Sequence, residues 1–359
     1  MKILYLCSLF HPHRGGIETM VSELSELSKI NGIEVVILTK KFPSSLSVYN
    51  KIKGTKIVRF SVPKKKIDYQ KLGSFLRQNE KILRSDTIHI VGFRHPLPLI
   101  GWYLAKRWNA RLIGTICGGE IPLPGDKDSL RVWYKGRFTA SPFLNFVPKL
   151  TACSKFLRVQ LIKDYPDLKK PPQVLLAGIN LAEYLKVPAK ITSKPYIISL
   201  RRLVSSKGID TLLKSYIKIA NQLSDLDLII AGSGPEEDKL KKMVQKTKLS
   251  NRITFIGDIP LKEAVSYLKS ALCTVVPSRS EGGGLVNVEA LALGCPVIAT
   301  DVGGIKEYVG SGGLLFKKDN VAQLSEAILN IYLDSKKRNH LVSAGSWPIN
   351  SLTKATTFW

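Results

Sequence analysis

The sequence predicts an α/β protein built from two doubly wound domains, each with a parallel sheet. Its 359 residues are enough for two domains that each bury a core. Short β-branched runs alternate with amphipathic helical stretches along the chain, which is the pattern of repeated βα units. The strand-like runs are apolar throughout, as expected where helices cover both faces of a sheet.

The first domain is predicted to span residues 1–183. It opens with the strand KILYLCSLF, and the amphipathic helix GIETMVSELSELSKI follows. The later strand-like runs of this domain are, in chain order, IEVVILTK, DTIHIVGF, RLIGTICGG and LTACS.

The second domain is predicted to span residues 196–335. A linker at 184–195, rich in lysine and proline and without periodicity, precedes it. Its strand-like runs are YIISL, LDLIIAGSG, RITFIGDI, LCTVVPS and PVIATDVGG. The tail, 336–359, is helix-compatible only in pieces because Gly345 and Pro348 interrupt it, and we expect it to pack back on the first domain.

Composition argues against several classes of protein. The five cysteines are scattered, with no CxxC pair or Cys/His cluster, so we expect no metal site, no disulfide framework and a reducing, cytoplasmic setting. The N-terminal apolar run is too short for a secretory signal, since His11 and Pro12 interrupt it. No stretch of eighteen apolar residues predicts a membrane-spanning helix.

The net charge of +26 is the unusual feature of the composition. A basic surface attracts anionic lipid headgroups, nucleic acid or anionic substrates, and composition does not choose among them. No nucleic-acid-binding motif is present, so we expect no nucleic-acid partner. The lysines at 64–66 and the apolar run PLPLIGWYL suit peripheral contact with an anionic membrane, while core packing of Trp102 and Tyr103 is the alternative.

The segment EGGGLVNVE places two acids, Glu281 and Glu289, around three glycines and an apolar run. It lies between two predicted strands, so the glycines fall at a helix N-terminus on the carboxyl edge of a parallel sheet. Free amides there suit a phosphate, and Gly283 and Gly284 permit close backbone approach. The alternative is that Glu281 is a solvated loop acid and Glu289 a surface helix residue.

Two further loops have the same position relative to a strand and a helix. Arg202 and Lys207, in LRRLVSSKGIDTLL, follow the first strand of the second domain, where two cations suit a diphosphate. Gly15 and Gly16 follow the first strand of the first domain, where they predict close ligand approach. For the glycines, a simple turn is the alternative.

These segments resemble retaining glycosyltransferases of the GT-B fold, family 4, also described as glycosyl transferases group 1. The resemblance runs along nearly the whole chain and is strongest from Tyr196 to Phe316. PSRSEGGGLVNVEALALGCPVIATDVGGIKEYV is similar to the most specific signature of the family, and LRRLVSSKGIDTLL to its arginine–lysine loop. The resemblance implies two Rossmann-like domains facing across a cleft, with the acceptor bound by the first and the nucleotide sugar by the second.

The resemblance also implies roles for individual residues of the second domain. Glu281 would contact the donor sugar and Glu289 the nucleotide ribose. Arg202 and Lys207 would hold the donor diphosphate. Glu281, Arg202 and Lys207 are accordingly the catalytic candidates of this domain.

Other donor contacts are implied by the same resemblance. The backbone amides near Gly284 and Leu285 would help to hold the diphosphate. Ile256, in ITFIGD, lies where the family contacts the base through its backbone. Gly15 and Gly16 would approach the donor from the first domain.

The sequence departs from the family pattern at four positions. Gly283 stands where an aromatic residue is frequent, and Arg201 stands where a glycine usually precedes the loop arginine. Asn180, in LAGINLAEY, replaces an acid. Cys117, in LIGTICGGE, stands where the family has a histidine near the donor sugar, so it is the fourth catalytic candidate.

His89 and His95 are close to Cys117 in the chain. A core or surface role is expected for each of them, since a lone histidine is more often structural than catalytic. A neutral thiol does not reproduce the hydrogen bonding of an imidazole, so Cys117 changes how the acceptor is handled.

The resemblance implies transfer of a sugar from a UDP- or GDP-sugar to a hydroxyl acceptor, with retention and without metal or other cofactor. Same-face attack, with the departing phosphate helping to take the acceptor proton, is the expected mechanism, and a covalent intermediate on Glu281 is the alternative. The acceptor is expected to be a glycan or a lipid-linked hydroxyl. The basic first half favours an anionic or lipid-linked acceptor at the inner face of the cell membrane.

Two other functions remain open on the sequence alone. A non-catalytic nucleotide-sugar-binding partner, or a regulatory subunit of the same fold, is suggested by Cys117. A nucleic-acid-binding protein is suggested by charge and by nothing else in the sequence.

Overall fold

A computed structural model of the chain describes residues 1–118, 121, 143–223 and 225–345. These residues form two compact units. The first unit ends at Gly178 and the second begins at Ile179. Each unit has its own sheet with helices, which confirms the predicted α/β class. The second sheet is wholly parallel, and the first is parallel except for one antiparallel pair at its edge.

The first unit contains an eight-stranded sheet. Its strands are β1 (Lys2–Cys7), β2 (Glu34–Lys40), β3 (Tyr49–Ile52), β4 (Thr55–Phe60), β5 (Thr87–Val91), β6 (Arg111–Ile116), β7 (Lys149–Ala152) and β8 (Gln173–Val174). Their order in space is β3-β4-β2-β1-β5-β6-β7-β8, and β3 with β4 is the antiparallel pair. The strand order reverses at β1, which pairs with β2 on one side and β5 on the other.

Helices of the first unit connect these strands. They are α1 (Gly16–Ile30), α2 (Lys66–Gln78), α3 (Glu80–Leu83), α4 (Leu97–Trp108) and α5 (Lys155–Asp164). Local sequence explains their ends: the Ser154 hydroxyl accepts a hydrogen bond from the Leu157 amide at 3.0 Å and so caps α5. Asn109 ends α4 in the left-handed conformation, which asparagine tolerates better than most residues.

The second unit contains a six-stranded, wholly parallel sheet. Its strands are β9 (Tyr196–Leu200), β10 (Asp227–Ala231), β11 (Ile253–Gly257), β12 (Cys273–Val276), β13 (Val297–Thr300) and β14 (Gly313–Phe316). Their order is β11-β10-β9-β12-β13-β14, with the reversal between β9 and β12. This is the doubly wound order in which ligands bind outside the carboxyl ends of the strands at the reversal.

Helices cover both faces of the second sheet. They are α6 (Leu181–Leu185), α7 (Ile209–Ile219), α8 (Glu237–Gln245), α9 (Leu261–Ser270), α10 (Leu285–Ala292), α11 (Ile305–Val309), α12 (Val321–Leu333) and α13 (Ser335–Ala344). Alternate residues of β9 pack into two hydrophobic cores, one on each face of the sheet. Ile197 packs in the core formed with α7, α8 and α12, while Tyr196 and Ile198 pack in the core formed with α9, α10 and α11.

Most of the predicted linker packs against the second unit. Tyr184 is buried, the Lys190 amide donates to the Ser266 carbonyl at 2.9 Å, and Lys269 Nζ donates to the Leu185 carbonyl at 2.9 Å. These contacts explain why the second unit begins before the stretch predicted as a linker.

The described part of the predicted tail also packs on the second unit, through α13. Leu341 of that helix is buried in the core shared by α7, α8 and α12. The rest of the tail, 346–359, lies outside the described residues. None of the helices in the described part of the chain is long and apolar enough to cross a membrane.

Candidate active site

Two loops leave the carboxyl ends of β9 and β12, the strands at which the order of the second sheet reverses. The first loop covers 201–208 and leads into α7, and the second covers 277–284 and leads into α10. They carry the arginine–lysine motif and the glycine-rich motif respectively. The topology therefore brings together two motifs that are about 75 residues apart in the chain.

Glu281 joins the two loops through two cations. Its Oε2 atom lies 2.8 Å from Lys207 Nζ and accepts a second hydrogen bond from Arg201 Nη2. The side chains of Glu281, Lys207 and Arg201 are 16%, 15% and 7% exposed. Ser278 Oγ also accepts a hydrogen bond from Arg201 Nη2, at 2.5 Å. We call Arg201, Lys207, Ser278 and Glu281 the Glu281 cluster.

The cluster fixes the charge of its acid. Burial raises the pKa of Glu281, but Lys207 and Arg201 together lower it by more, and the pKa falls to about 2. Glu281 is therefore an ionised hydrogen-bond acceptor at neutral pH. Its Oε1 atom accepts no hydrogen bond from the residues that the structure describes, so it is available to a hydroxyl group of a ligand.

The two neighbouring arginines of the first loop have different environments. Arg201, the first of the two, is the one that contacts Glu281. Arg202, the predicted diphosphate ligand, is exposed, and its side chain makes no hydrogen bond or ion pair within the described ranges. Arg202 is thus free to meet an anion, whereas Arg201 is engaged in the cluster.

Arg279 ties the second loop to the first and is absent from the predicted site. Its Nη2 atom lies 2.8 Å from Asp210, its Nε atom 2.7 Å from Asp319, and its Nη1 atom donates to the Ser205 carbonyl at 2.6 Å. Its amide donates to the Ser206 carbonyl at 2.9 Å. The one signal in the sequence is a charged residue between two serines beside the glycine run, which is too weak to assign such a role.

The two loops also touch through backbone. Gly208 has a φ of +65°, and a Cβ atom there would lie 2.0 Å from the Pro277 carbonyl oxygen. Any other residue at 208 would push the loops apart. Glycine at this position therefore sets the separation between the Lys207 and Glu281 side chains.

The N-terminus of α10 holds a buried amide side chain that the sequence analysis missed. Asn287 is fully buried, and neither its Oδ1 nor its Nδ2 atom has a hydrogen-bond partner within the described residues. A Cβ atom at Gly284 would lie 2.6 Å from Asn287 Nδ2 and 3.7 Å from Glu281 Cγ, so the amide and the carboxylate flank this glycine. A buried polar group of this kind is expected where a ligand or water completes the bonding. The signal available in the sequence was a lone asparagine inside the apolar run LVNVEALA.

Gly283 is explained by packing. A Cβ atom there would lie 2.9 Å from the ring of Tyr308, which is buried. The tyrosine ring of α11 thus fills the space that a side chain at position 283 would need.

Glu289 and Ile256 lie at the other two predicted donor positions. Glu289 is partly buried in the second turn of α10, and its Oε1 atom accepts a hydrogen bond from the Tyr184 hydroxyl at 3.2 Å. Ile256 is near the carboxyl end of β11, partly buried against the core beneath α9 and α10. Tyr184 was not predicted, because it lies in the segment interpreted as a linker.

The first unit places Gly15 and Gly16 at the start of α1. Gly15 is extended with a φ of −178°, and a Cβ atom on Gly16 would meet nothing within 4 Å. A Cβ atom on Gly15 would lie 2.7 Å from Glu18 Oε2, the end of a flexible side chain, so neither position requires glycine within the first unit. The role predicted for the pair is close approach to a ligand. This role stays a prediction.

Cys117 follows β6 and is partly exposed, with its Sγ atom 3.6 Å from Cys153 Sγ. Gly119 and Glu120, which follow it in the sequence, lie outside the described residues. His89 is a core residue: its Nε2 atom lies 2.7 Å from the Thr115 hydroxyl, and burial lowers its pKa to about 3. It therefore has the core role that the sequence analysis expected.

Two family models together match residues 14–346. The model described as Glycosyltransferase Family 4 matches residues 14–183, and the model described as Glycosyl transferases group 1 matches residues 182–346. The junction of the two matches lies close to the boundary between the two units.

Individual proteins are similar over nearly the whole chain. An uncharacterized glycosyltransferase of Methanocaldococcus jannaschii is 29% identical over 355 residues, which cover 96% of this chain and 92% of the relative. A GDP-mannose-dependent monoacylated alpha-(1-6)-phosphatidylinositol monomannoside mannosyltransferase of Corynebacterium glutamicum is 25% identical, with the same coverage of 96% and 92%. The solved structure of Anabaena HepE in complex with UDP-glucose matches 100% of this chain and 99% of that chain, with a TM-score of 0.77 at 17% identity, which shows a shared fold.

Replacing Arg201 by Ala is expected to destabilise the second unit by about 3 kcal/mol, because it removes one partner of a buried ion pair. Arg202→Ala removes the same side chain one position later, where it is exposed, and is expected to change stability by about 0.5 kcal/mol or less. Urea denaturation measures the effect, and hydrogen exchange of peptides over 201–208 and 277–284 locates it. Equal effects of the two substitutions would contradict the assignment of Arg201 to the cluster.

Acid is expected to remove the stability that Glu281 supplies. Since its pKa is lowered on folding to about 2, this contribution is complete above the ordinary pKa of glutamate and is lost as the pH falls towards 2. The stability difference between the wild type and Glu281→Gln should therefore narrow between pH 6 and pH 3. Denaturation curves across this range measure it, and parallel pH profiles for the two proteins would show that Glu281 is not held ionised by the cluster.

Proposed function

The chain belongs to the GT-B glycosyltransferases of family 4, and we propose that it transfers a sugar from a nucleotide-diphosphate sugar to a hydroxyl acceptor with retention of configuration. The observation that supports this most directly is the buried, ionised Glu281 beside the N-terminus of α10, at the strand reversal of the second unit. A site of this kind offers acceptor atoms to sugar hydroxyls and donor groups to a diphosphate.

The donor diphosphate is proposed to bind Arg202, Lys207 and the amides at Gly284 and Leu285. Arg202 is exposed and uncommitted within the described residues, and a guanidinium presents paired donors to phosphate oxygens. Lys207 Nζ donates to Glu281, and an ammonium has two further hydrogens. As the glycosidic bond breaks, these groups would stabilise the negative charge that grows on the leaving diphosphate.

The two acids, Glu281 and Glu289, are proposed to accept hydrogen bonds from hydroxyl groups of the donor. Glu281 Oε1 would accept a hydrogen bond from the transferred sugar, and Glu289, positioned by Tyr184, would accept hydrogen bonds from the ribose. The buried amide of Asn287 is next to Gly284 and would complete its hydrogen bonds with the same ligand. Ile256 is proposed to contact the base through its backbone, and Gly15 and Gly16 to approach the donor.

The surroundings of Glu281 argue against a covalent intermediate. Its Oε2 atom is held by two cations, and the low pKa of the group makes it a weak nucleophile. Attack by the acceptor on the face that the diphosphate leaves needs no protein nucleophile. In that case the departing phosphate oxygen accepts the proton of the acceptor hydroxyl, and configuration is retained.

The donor is proposed to be a UDP- or GDP-sugar and the acceptor a glycan or a lipid-linked hydroxyl. A relative from Corynebacterium glutamicum is named as GDP-mannose-dependent with a phosphatidylinositol monomannoside acceptor, and HepE was solved with UDP-glucose. The net charge of +26 favours peripheral binding of the protein to the anionic cytoplasmic face of a membrane, where it would meet such an acceptor. No metal or other cofactor is required in this proposal, because side chains and helix amides neutralise the diphosphate.

Cys117 favours one other function, a non-catalytic subunit that binds a nucleotide sugar. The thiol stands where related sequences carry histidine, and the core position of His89 offers no replacement. Such a subunit would bind a UDP- or GDP-sugar but would not transfer the sugar to an acceptor. Product formation with a panel of acceptors separates the two functions.

Removal of either donor-site cation is expected to weaken nucleotide binding. Arg202→Ala and Lys207→Ala should each lower affinity for UDP or GDP by about 10- to 100-fold, the effect of losing a hydrogen bond to a charged group. Isothermal titration calorimetry measures this. Lys218→Ala, an exposed lysine of α7 outside the two loops, is the control and should leave affinity unchanged. Affinities that remain equal to wild type in both test variants would contradict the diphosphate assignment.

The product is expected to keep the anomeric configuration of the donor. The coupling constant of the anomeric proton, measured by NMR on product formed within the first turnovers, determines it. Addition of a chelator is expected to leave the initial rate unchanged, because cationic side chains hold the diphosphate. An inverted product would exclude same-face attack, and a rate abolished by the chelator and restored by a divalent cation would exclude metal independence.

A further inference from the structure

The first unit has its own strand reversal, between β1 and β5. Four loops leave the carboxyl edge of the sheet around it. They follow β1, β2, β4 and β5 and cover residues 8–15, 41–48, 61–65 and 92–96. In doubly wound sheets, ligands bind outside the carboxyl ends of the strands at the point where the strand order reverses. This edge of the first sheet is therefore a candidate ligand site in addition to the one in the second unit.

These loops are basic and contain no Asp or Glu. Their basic residues, with those at the ends of the strands, are His11, His13, Arg14, Lys40, Lys41, Arg59, Lys64, Lys65, Arg94 and His95. Two acids, Glu18 and Asp68, lie in the first turns of the helices that follow. Asp68 is occupied by the backbone amides of Lys64 and Lys65, each at 2.9 Å.

Lys40, the last residue of β2, is a half-buried cation without a counter-ion in the described part of the chain. Burial and the charge of Arg94 lower the pKa of Lys40 to about 8. Burial and the charge of Lys40 lower the pKa of His95 in turn. The strand register places Thr39 and Val91 on either side of Cys7, so Lys40 and the loop 92–96 lie at the same level of the carboxyl edge, two strands apart. We call Lys40, Arg94 and His95 the Lys40 cluster. Buried charges are normally paired, so this arrangement indicates an anion supplied from outside the protein.

Neighbouring contacts hold the loops around this cluster in place. Arg59, which is 1% exposed on β4, donates to the His11 carbonyl at 2.7 Å and to the Ser47 carbonyl at 3.1 Å. The Tyr69 hydroxyl lies 2.5 Å from His95 Nε2. Both of these hydrogen bonds go to neutral carbonyl groups, so they do not neutralise the charge of Arg59. The guanidinium therefore adds to the positive electrostatic potential at the carboxyl edge of the first sheet.

We propose that Lys40, Arg94 and His95 bind a phosphate ester carried by the acceptor. The identification of the ligand as the acceptor rests on the proposed function, whereas the anion site does not. A phosphate offers three oxygens in three directions, which suits an ammonium, a guanidinium and an imidazole that come from two different strand ends. The ester is either that of a phosphorylated saccharide or that of a phospholipid headgroup.

Inorganic phosphate tests the site without any need for turnover. Lys40→Gln and Arg94→Gln each remove one positive charge from the cluster and are expected to weaken phosphate binding at least tenfold in calorimetric titrations. Lys51→Gln removes the same charge from an exposed position on the edge strand β3 and is expected to stay within twofold of the wild type. Equal phosphate affinities in all four proteins would overturn the proposal.

UDP and GDP titrations separate this proposal from the function proposed above. The two cluster variants are expected to bind UDP or GDP as tightly as the wild type. A loss of nucleotide affinity that parallels the loss of phosphate affinity would assign the cluster to the donor and overturn the proposal. If no protein bound UDP or GDP, the donor site would fail while the phosphate titrations still decided the Lys40 cluster.

Chemical labelling gives a readout that does not depend on the folding of a variant. Wild-type protein is acetylated with a limiting amount of acetic anhydride, and peptides are quantified by mass spectrometry. Phosphate is expected to slow modification of Lys40 several-fold and to leave Lys51 unchanged. Protection of neither lysine, or of both equally, would contradict a phosphate site at Lys40.

Two further arms distinguish the sources of the phosphate ester. Glucose 6-phosphate represents a soluble phosphorylated saccharide, and vesicles of equal parts phosphatidylglycerol and phosphatidylcholine represent a headgroup. Binding of either that is weakened at least tenfold by Lys40→Gln and not by Lys51→Gln supports the proposal and identifies the source. Binding of both probes that is insensitive to Lys40→Gln would overturn it.

Discussion

The second unit depends on one buried interaction, the pairing of Glu281 with Arg201 and Lys207. A carboxylate that is 16% exposed is stable only if its lost hydration is replaced, and two charge-assisted hydrogen bonds replace it. Because the acid comes from the loop after β12 and the cations from the loop after β9, the same bonds hold the two loops at a fixed separation. The Oε1 atom of Glu281, which accepts no hydrogen bond from the described residues, is thereby held in one orientation, as the proposed contact with a sugar hydroxyl requires.

Close packing around this pairing makes the arrangement rigid. Gly208 lets the two loops touch at the Pro277 carbonyl, and Arg279 joins the second loop to Asp210, Asp319 and the Ser205 carbonyl. None of these residues needs to contact a ligand. They act by limiting the positions of Glu281 and Lys207, so a small change in any of them would move the groups that are proposed to bind the donor.

The sequence was sufficient for the βα order, for the glycine-rich loop and for placing Glu281 and Lys207 at the same edge of the second sheet, because each depends on local pattern and on the rule for parallel sheets. The ion pair between these two side chains was not predicted and is found only in the structure. It was not sufficient to separate Arg201 from Arg202. Successive residues of an extended chain face opposite sides, so a difference of one position decides whether a cation is buried or exposed. The roles of Tyr184 and Arg279 depend on contacts between segments far apart in the chain, and the local sequence pattern does not indicate such contacts. Asn287 did leave a trace, a polar residue in an apolar run, although its burial could be known only from the packing of α10.

The two units share a topology but differ in the balance of charge at the strand reversal. At the reversal in the second unit, an acid neutralises part of the cationic charge, so Arg201, Lys207 and Glu281 together retain a single positive charge. In the proposed function, a diphosphate held by so small an excess, with exposed Arg202 beside it, would be bound through directed hydrogen bonds and would leave once the sugar has been transferred. At the reversal in the first unit, the loops supply cations without loop acids, and Lys40 is half-buried among them. Attraction there is dominated by net charge, which salt screens over about 10 Å, whereas the compact Glu281 cluster is partly shielded from salt by its burial. On the two proposals made above, the first unit selects its ligand by charge and the second by geometry.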